Sequence, residues 1–437
     1  MKKIAPVNQT AKYLSWLSVV ILALIPFHAF LTVWASGLVG HYILLRLWKE
    51  YLLVIILLGA IYILIKDRAL AGRLFSMRLT QLILIYAAII LIWSFVPLAR
   101  HQVSAKAMWY GLLVDLRFLA FFLSVMVLAT KSTVLGRNWL RILLTPAVLV
   151  SAFAVLQFLV LPYNFLSHFG YGPNTISPYE TINHNINHLR VESFLRGANP
   201  LGAYLILPIS ALGVMFFREK DQRYNKTVFG VGLILALIFS FSRSAWIGAG
   251  LSILSLAWLG LRSGRAKRIA VWALAGLVVL GAVAAVVLRN NTEFQNVFLH
   301  TQRNSAIATT SNESHVSAAK TAASDIVHNP QGSGVGTAGP ESVYNKGPAR
   351  IAENYFLQIG QEAGIVAMIL FIAICAVVGW RLYGLRRDTL ALTLLAALIG
   401  ISFVNLLSHA WTDDTLAYIF WGLTGVALAP LLKRKNT

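Results

Sequence analysis

The sequence predicts an all-α, polytopic membrane protein with about twelve transmembrane helices. Of its 437 residues, 58% are hydrophobic and only 12% are charged, whereas a soluble globular chain carries about 25% charged residues. The mean hydropathy of the chain is +0.70. Apolar runs recur from one end of the chain to the other, and most are close to the ~20 residues that cross the hydrocarbon core of a bilayer. We therefore expect a single transmembrane domain over residues 1–437, with the lipid bilayer as its solvent.

The predicted spans follow one another along the chain. The first is long and uninterrupted, with no small-residue cleavage site after it, so we expect a membrane helix rather than a cleaved signal peptide. Two later spans are short and meet at Ser242 and Arg243, which predicts a tight hairpin turn. The spans lie at about 14–35, 50–65, 82–98, 110–129, 140–161, 200–217, 227–241, 244–261, 270–288, 356–380, 389–406 and 415–432.

The positive charge of the chain is distributed according to the side of the membrane. The formal net charge is +21, which taken alone would suggest a nucleic-acid partner. Most Lys and Arg residues, however, fall in short segments that share one side once the N-terminus is placed in the cytoplasm, as the positive-inside rule requires. An even number of spans then puts both termini in the cytoplasm. Topology therefore explains the charge, and we expect no nucleic-acid partner.

Two long segments face the outer side in this topology. They are an outer loop at 162–199 and a large outer loop at 289–355, between the ninth and tenth helices. Loops this long are usually functional or disordered, so we expect the site to face the periplasm or exterior, with the large loop carrying part of it. Small and polar residues alternate from Ser314 to Ile326, which predicts an amphipathic helix of about three turns. The glycines after Pro330 lack the Lys-Ser/Thr of a phosphate-binding P-loop.

Three arginines on the outer side are not explained by topology. Arg243 lies at the predicted turn between two apolar helices, and Arg190 and Arg196 precede the span that opens at Asn199. Arginine suits phosphate because its planar fork donates two parallel charge-assisted hydrogen bonds, and a helix N-terminus near Arg196 also favours an anion. We therefore interpret these arginines as ligands of an anion such as a pyrophosphate. The alternatives are that Arg243 extends to the outer interface, or that Arg190 or Arg196 pairs with Glu192.

The large outer loop also carries a candidate acid–base pair. Glu353 precedes the helix that begins near Phe356, where it is a candidate general base for an acceptor hydroxyl. The alternative is that Glu353 is a helix cap or a partner of the helix dipole. His315 is a candidate assistant of this base, and a solvated position on the loop is its alternative.

The other ionisable residues near membrane depth are interpreted structurally. Asp115 and Arg117 lie mid-span at i and i+2, so they point to different faces, and each is expected to pair with another helix. His409, Asp413 and Asp414 precede the last span and are interpreted as capping and interfacial groups. The histidines and acids show no HExxH or other metal-ligand spacing, so neither a metal nor another cofactor is expected.

Four segments together resemble one protein family. Their order, spacing and predicted side of the membrane are similar to those of the O-antigen ligase and O-antigen polymerase superfamily of bacterial envelope glycan transferases, and the similarity spans nearly the whole chain. The segments are FLRGANPLGAYL at 194–205, FSFSRSAW at 239–246, NPQGSGVG at 329–336 and ENYFL at 353–357.

This resemblance implies a multi-pass enzyme of the cell inner membrane, with its active site facing the periplasm. The enzyme would move a glycan from an undecaprenyl-pyrophosphate-linked donor to a glycan or lipid acceptor, without a metal. Arg196 and Arg243, with Arg190 beside them, would hold the pyrophosphate. Glu353, aided by His315, would act on the acceptor hydroxyl. A single in-line displacement predicts inversion, because we identify no second carboxylate for a covalent mechanism. The amphipathic part of the large loop would cover the site and bind sugar.

Two alternatives stay open. Glu353 stands where the ligases carry a histidine, and this departure leaves open a polymerase of lipid-linked glycan repeats, which differs from a ligase in its acceptor. A transporter or flippase of lipid-linked glycans, which is not an enzyme, would share the helix count and the cavity cations. Transporters more often show a repeat between halves and helices broken at matching positions, and the sequence shows no such symmetry.

Overall fold

The computed structural model describes residues 6–182, 185–218, 223–260 and 311–433, with scattered residues between 264 and 295. Over these residues the chain is built from helices, with a small two-stranded sheet in the outer loop at 162–199. The helices are α1 Pro6–Leu24, α2 His28–Val39, α3 Tyr42–Arg46, α4 Trp48–Lys66, α5 Arg68–Ser76, α6 Arg78–Ala99, α7 Ala105–Lys131, α8 Val134–Leu159, α9 Ala198–Arg218, α10 Arg223–Phe239, α11 Arg243–Gly260, α12 Ser311–His328, α13 Tyr355–Gly384, α14 Thr389–Asn405 and α15 Asp414–Lys433.

The predicted class, an all-α polytopic membrane fold, is confirmed. In the described part of the chain, eight helical segments are long and apolar enough to cross a membrane, and the first of them is the continuous run Val7–Val39. Two predicted spans coincide with the shorter apolar helices Asn225–Phe239 and Thr389–Asn405, and the span at 244–261 coincides with α11. The span predicted at 270–288 falls mostly outside the described residues.

Glycines let the central helices approach one another closely. Helix α15 packs along α7, where a Cβ on Gly425 would lie 2.6 Å from the carbonyl oxygen of Phe122. Helices α11 and α14 cross at Gly248 and Gly400, and a Cβ on Gly248 would lie 2.8 Å from the Gly400 carbonyl oxygen. Because lipid provides little hydrophobic drive between helices, such close backbone packing is how membrane helices associate.

The predicted hairpin between α10 and α11 is present. Phe241 adopts a left-handed backbone (φ 49°) at the turn, and the indole N–H of Trp246 donates to the carbonyl of Leu237 at 2.8 Å. Arg243 is the first residue of α11. The turn thus fixes Arg243 at the end of the bundle where α9 begins, since a Cβ on Gly202 of α9 would touch Ser242 and Ala245.

Helix α13 is broken at Gly364 (φ 85°), and the large outer loop docks into the break. The backbone N–H groups of Ser333 and Gly334 donate to the freed carbonyls of Gln361 and Glu362 at 2.7 and 2.8 Å. Irregular backbone at membrane depth is tolerated only when protein partners satisfy it in this way. The glycine-rich segment therefore anchors the large loop to the bundle.

The small sheet was not predicted. Strand β1, Glu180–Ile182, pairs antiparallel with β2, Asn185–Arg190, and Glu180 lies opposite Arg190. The sheet lies in the outer loop between α8 and α9, where a two-stranded hairpin can form without interrupting a membrane span. The predicted amphipathic helix in the large loop is confirmed as α12 and extends beyond the expected three turns.

Candidate active site

A cavity of about 290 Å³, lined by both charged and apolar residues, lies at the end of the bundle where α9, α13 and α15 begin. It brings together Arg196 and Glu353, which are 157 positions apart in the chain. The cavity is lined by Glu180, Arg196, Gly197, Asn199, Pro200, Pro340, Ile351, Glu353, Ser408, His409, Ala410 and Asp413.

Glu353 is held by the segment that starts α13. Its own backbone is left-handed (φ 51°), and the next residue, Asn354, caps the helix by accepting from the Leu357 N–H at 3.0 Å. The Asn354 side chain also donates to the carbonyl of Leu406 at 3.0 Å. The interpretation of Glu353 as the helix cap is therefore wrong, and its carboxylate is directed into the cavity instead.

Two histidines flank the Glu353 carboxylate. Its Oε2 atom lies 3.6 Å from Nδ1 of His315 and 3.9 Å from Nδ1 of His409. Burial raises the pKa of Glu353 above its ordinary value, and the charge of His315 offsets only part of that rise. Burial, together with the charges of Arg196 and His315, lowers the pKa of His409 to about 4. At neutral pH, His409 is therefore an uncharged imidazole beside a carboxyl group whose pKa is raised.

His409 was missed as a site residue. The sequence predicts an interfacial or capping role for His409, Asp413 and Asp414, and the structure adds that His409 and Asp413 line the cavity. The capping role fits Asp413, whose Oδ1 accepts from the N–H groups of Thr415 and Leu416 at 3.0 and 3.2 Å. The signal in the sequence is a histidine and two acids within one short outer segment. Their relation to the candidate site becomes visible only because the fold brings His409 close to Glu353.

Arg196 is the cation of this cavity. Its Nε lies 3.4 Å from Oδ2 of Asp413, and its Nη2 donates to the hydroxyl of Thr412 at 3.4 Å. The side chain is still 37% exposed, and it also lines two neighbouring cavities of about 180 and 210 Å³. Asp413 thus positions the guanidinium while leaving its other donors directed towards open space.

Arg46 is a second cation that sequence interpretation did not single out. It closes α3, its guanidinium lies 5.3 Å from the ring centre of Tyr110, and it lines the same two neighbouring cavities as Arg196. The positive-inside rule could have identified it, because an arginine on the outer side between the first two spans is unusual.

Arg190 and Arg243 lie to one side of this cavity and are not among its lining residues. The Arg190 guanidinium donates to the carbonyl of Ser240 at 3.1 Å, in the turn before Arg243. It also donates to Oδ1 of the cavity residue Asn199 at 2.6 Å. Asn199 therefore connects the Arg196 cavity to the second pair of arginines.

The Glu180 carboxylate lies at the N-terminus of α9, where the sequence predicts a bound anion. Its Oε1 accepts from the N–H of Ala198 at 3.3 Å, at the N-terminus of α9, and its Oε2 lies 3.5 Å from Nη1 of Arg190. The suggested pairing of Arg190 or Arg196 with Glu192 is wrong. Both carboxyl oxygens of Glu192 are buried without a hydrogen-bond partner among the described residues, and burial raises the pKa of Glu192 well above its ordinary value.

A closed ionic network lies beside the cavity. Arg117 pairs with Asp414 and, at 3.3 Å, with Glu50, and Lys49 lies 3.0 and 3.1 Å from Asp414 and Glu50. Asp115 instead accepts from the hydroxyl of Tyr355 at 3.2 Å. The prediction that Asp115 and Arg117 pair with different helices is confirmed. The network balances charge inside the bundle, as expected where ionised groups leave water.

The glycine-rich segment holds a carboxylate of the protein itself. Oε1 of Glu362 accepts from the backbone N–H of Gly336 at 2.8 Å and of Ala338 at 3.4 Å. A Cβ on Gly336 would lie 2.5 Å from the Ala107 backbone, so glycine is required for the loop to dock. The resemblance to a phosphate cradle is thus superficial, and the backbone donors bind Glu362.

These features define a polytopic membrane protein with a polar, cation-containing site at one end of its bundle. Residues 228–372 match the family model of O-antigen ligase, and the predicted resemblance to the O-antigen ligase superfamily is confirmed over this region. The match includes Arg243, His315 and Glu353, whereas Arg190 and Arg196 precede it. No curated protein matches the chain. The family supports a membrane protein that processes envelope glycans as a ligase or polymerase.

Proposed function

We propose that this protein is a membrane glycosyltransferase that moves a glycan from undecaprenyl pyrophosphate to an acceptor hydroxyl. The reaction would take place on the periplasmic face of the inner membrane and would need no metal. The observation that carries the proposal is the meeting of Arg196 and Glu353 in one cavity. A cation for the leaving group and a carboxylate for the nucleophile are the two functions that such a transfer requires.

Arg196 would stabilise the charge that develops on the departing pyrophosphate. Its guanidinium is already oriented by Asp413 and Thr412, so little reorganisation is needed when the charge develops. Arg46 lines the adjoining cavities and would bind the second phosphate. Arg190 and Arg243, which lie beyond Asn199, would bind the donor farther along its length.

Glu353 would remove the proton from the acceptor hydroxyl. A carboxyl group with a raised pKa is a stronger base than an ordinary one, which suits general base catalysis near neutral pH. His315 would orient the carboxylate from the side of the large loop, and neutral His409 would orient it from the side of α15. The acceptor oxygen would then displace pyrophosphate in a single step, with inversion at the anomeric carbon.

Polymerisation of lipid-linked repeats is the second candidate. The observation that favours it is Glu353 itself, which stands where the ligases that the chain resembles carry a histidine. A polymerase would use the same donor site and the same base, and only the molecule bearing the acceptor hydroxyl would differ.

The test is a transfer assay with the full chain in proteoliposomes, an undecaprenyl-pyrophosphate glycan, candidate glycan and lipid acceptors, and EDTA. We expect a new glycosidic bond with the wild type and a loss of about 10²–10³-fold in rate with Arg196→Ala, the cost typical of removing one preorganised donor. The matched control is Arg137→Ala, which changes an exposed arginine in the first turn of α8. This variant should retain full activity. Movement of intact glycan across the bilayer without a new bond would contradict the proposal and favour a transporter.

A further inference from the structure

A second, larger cavity of about 450 Å³ lies between α12 and the segment that leads to Glu353. It ends at Ile351 and Ala352, and Ile351 also lines the Arg196 cavity. The two spaces are therefore neighbours across the chain segment that carries the proposed base. The lining residues are Glu313, Ser314, Ser317, Ala318, Thr321, Ala349, Arg350, Ile351, Ala352 and Gln361.

Helix α12 presents hydroxyl groups to this cavity. Ser314, Ser317 and Thr321 lie three and four positions apart and so share one face of the helix. A different face carries the buried side chains of Ala322 and Ile326, and Ile326 packs against Gly360 of α13. The docking of α12 on α13 thus fixes the orientation of the hydroxyl face.

The opposite wall is polar and incompletely satisfied. Arg350 and the amide nitrogen of Gln361 both donate to Oδ2 of Asp325, at 2.5 and 2.6 Å. Burial would raise the pKa of Asp325, but these two hydrogen bonds lower it below its ordinary value. Gln361 is only 4% exposed, and its Oε1 has no hydrogen-bond partner among the described residues. A buried carbonyl oxygen of this kind costs free energy unless a donor reaches it.

We propose that this cavity binds a saccharide ring of the acceptor, an inference that rests on the proposed transferase function. Sugar hydroxyls can accept from Arg350 and exchange hydrogen bonds with the α12 hydroxyls. The methyl groups of Ala318, Ala349 and Ala352 offer a small apolar surface for the C–H face of a ring.

The acceptor is favoured over the donor by the geometry of displacement. In an in-line reaction the attacking oxygen and the leaving group lie on opposite sides of the reacting carbon. The pyrophosphate side is marked by Arg196, in the cavity that α9 lines. The second cavity shares Ile351 with the Arg196 cavity, and its wall includes Ala352, which directly precedes Glu353 in the chain. A ring held there can present a hydroxyl group towards that base.

The experiment measures two KM values with the full chain in proteoliposomes. The donor probe is an undecaprenyl-pyrophosphate glycan. The acceptor probe carries the same glycan with a methylene group in place of the anomeric oxygen, so that its C1–C bond cannot be displaced, and a fluorophore at its lipid end. Ser317→Trp fills the cavity, and Ala323→Trp places the same ring on the exposed opposite face of α12. Gln361→Met removes the amide that donates to Asp325 and so weakens the positioning of Arg350.

We expect Ser317→Trp to raise the KM for the acceptor probe by at least about tenfold, which corresponds to the loss of one or two hydrogen bonds. Gln361→Met should raise it about three- to tenfold, while Ala323→Trp and every donor KM stay at wild-type values. An unchanged acceptor KM in an active Ser317→Trp protein, or a raised donor KM, would overturn this inference alone. Absence of transfer by the wild type would instead contradict the proposed function.

Discussion

Two groups of charged residues meet near the start of α15, and they differ in how completely their charges are matched. Around Asp414, the side chains of Lys49 and Arg117 are 1% and 7% exposed, and each contacts more than one carboxylate. Around the cavity, Glu353 and Arg196 are 33% and 37% exposed. Adjacent residues belong to different groups, because Asp413 contacts Arg196 whereas Asp414 contacts Arg117.

This difference separates structural charges from candidate functional ones. A closed network gains its stability from mutual pairing, and removing one member leaves another charge buried without a partner. A charge that opens into a cavity keeps donors or lone pairs available for a substrate. Arg117 and Asp414 also line the cavity of about 210 Å³ beside Arg46 and Arg196, so lining a cavity does not by itself identify a functional charge. The distinguishing feature of Arg196 and Glu353 is that protein partners match their charges only in part.

The largest expected effect is on activity and comes from the charges that open into the cavity, Arg196 and Glu353. Glu353→Gln keeps the shape of the side chain but removes the base, so we expect the transfer rate to fall about 10²–10⁴-fold, the range for a positioned general base. The thermal unfolding temperature in detergent should stay at the wild-type value. Glu353→His should retain part of the activity because imidazole can also accept the proton. A Gln variant as active as the wild type would remove Glu353 from the mechanism.

The next effect is on stability and comes from the closed ionic network around Asp414. Arg117→Met leaves Asp414 and Glu50 short of one cation, and breaking a buried pair in this way costs about 3–5 kcal/mol. We expect a clearly lower unfolding temperature in detergent, with Arg137→Met on the exposed surface of α8 as the matched control. Unchanged unfolding temperatures for both variants would show that the network does not stabilise the fold.

The smallest effect tests whether the Glu180 carboxylate occupies part of the proposed anion site. The Glu180 carboxylate lies at the N-terminus of α9, next to Arg190, where it competes with an anionic donor. Glu180→Gln should strengthen binding of an undecaprenyl-pyrophosphate glycan about two- to fivefold, in line with the energy of one charge at a helix end. Asp388→Asn makes the same charge change at the N-terminus of α14, where Asp388 is exposed and caps the helix, and should leave donor affinity unaltered. Weaker donor binding by Glu180→Gln would show that this carboxylate supports the site instead.

The membrane architecture could be predicted from the sequence because its signal is local. Apolar length identifies a span, and a short polar break between spans identifies the turn at Ser242 and Arg243. The β-hairpin was not predicted because its two strands are short and show no apolar pattern in the sequence. The break of α13 at Gly364 was equally hidden, because its compensation by Ser333 and Gly334 comes from another part of the chain.

The site was only partly predictable because its residues converge from distant segments. Arg196 stands out in the sequence because an arginine beside an apolar span on the outer side is unusual, and Glu353 stands out because it begins one of the four segments that resemble the family. The position of Arg46 on the outer side is a similar signal, whereas nothing local distinguishes His409 from an interfacial residue. The partner of Arg190 was predicted wrongly, because Glu192 is closer in sequence whereas β-pairing places Glu180 opposite Arg190.

The most direct test of the central claim is the pH dependence of transfer, measured as kcat/KM for the acceptor in wild type and Glu353→Gln. The base must be ionised, and its pKa is raised above the ordinary value for glutamate, so wild-type activity should fall about tenfold per pH unit below that pKa. His409, with a pKa of about 4, stays neutral through most of this range. The account predicts that the acid limb disappears in Glu353→Gln. The same limb in both proteins, or a flat wild-type profile, would contradict the assignment of Glu353 as the base.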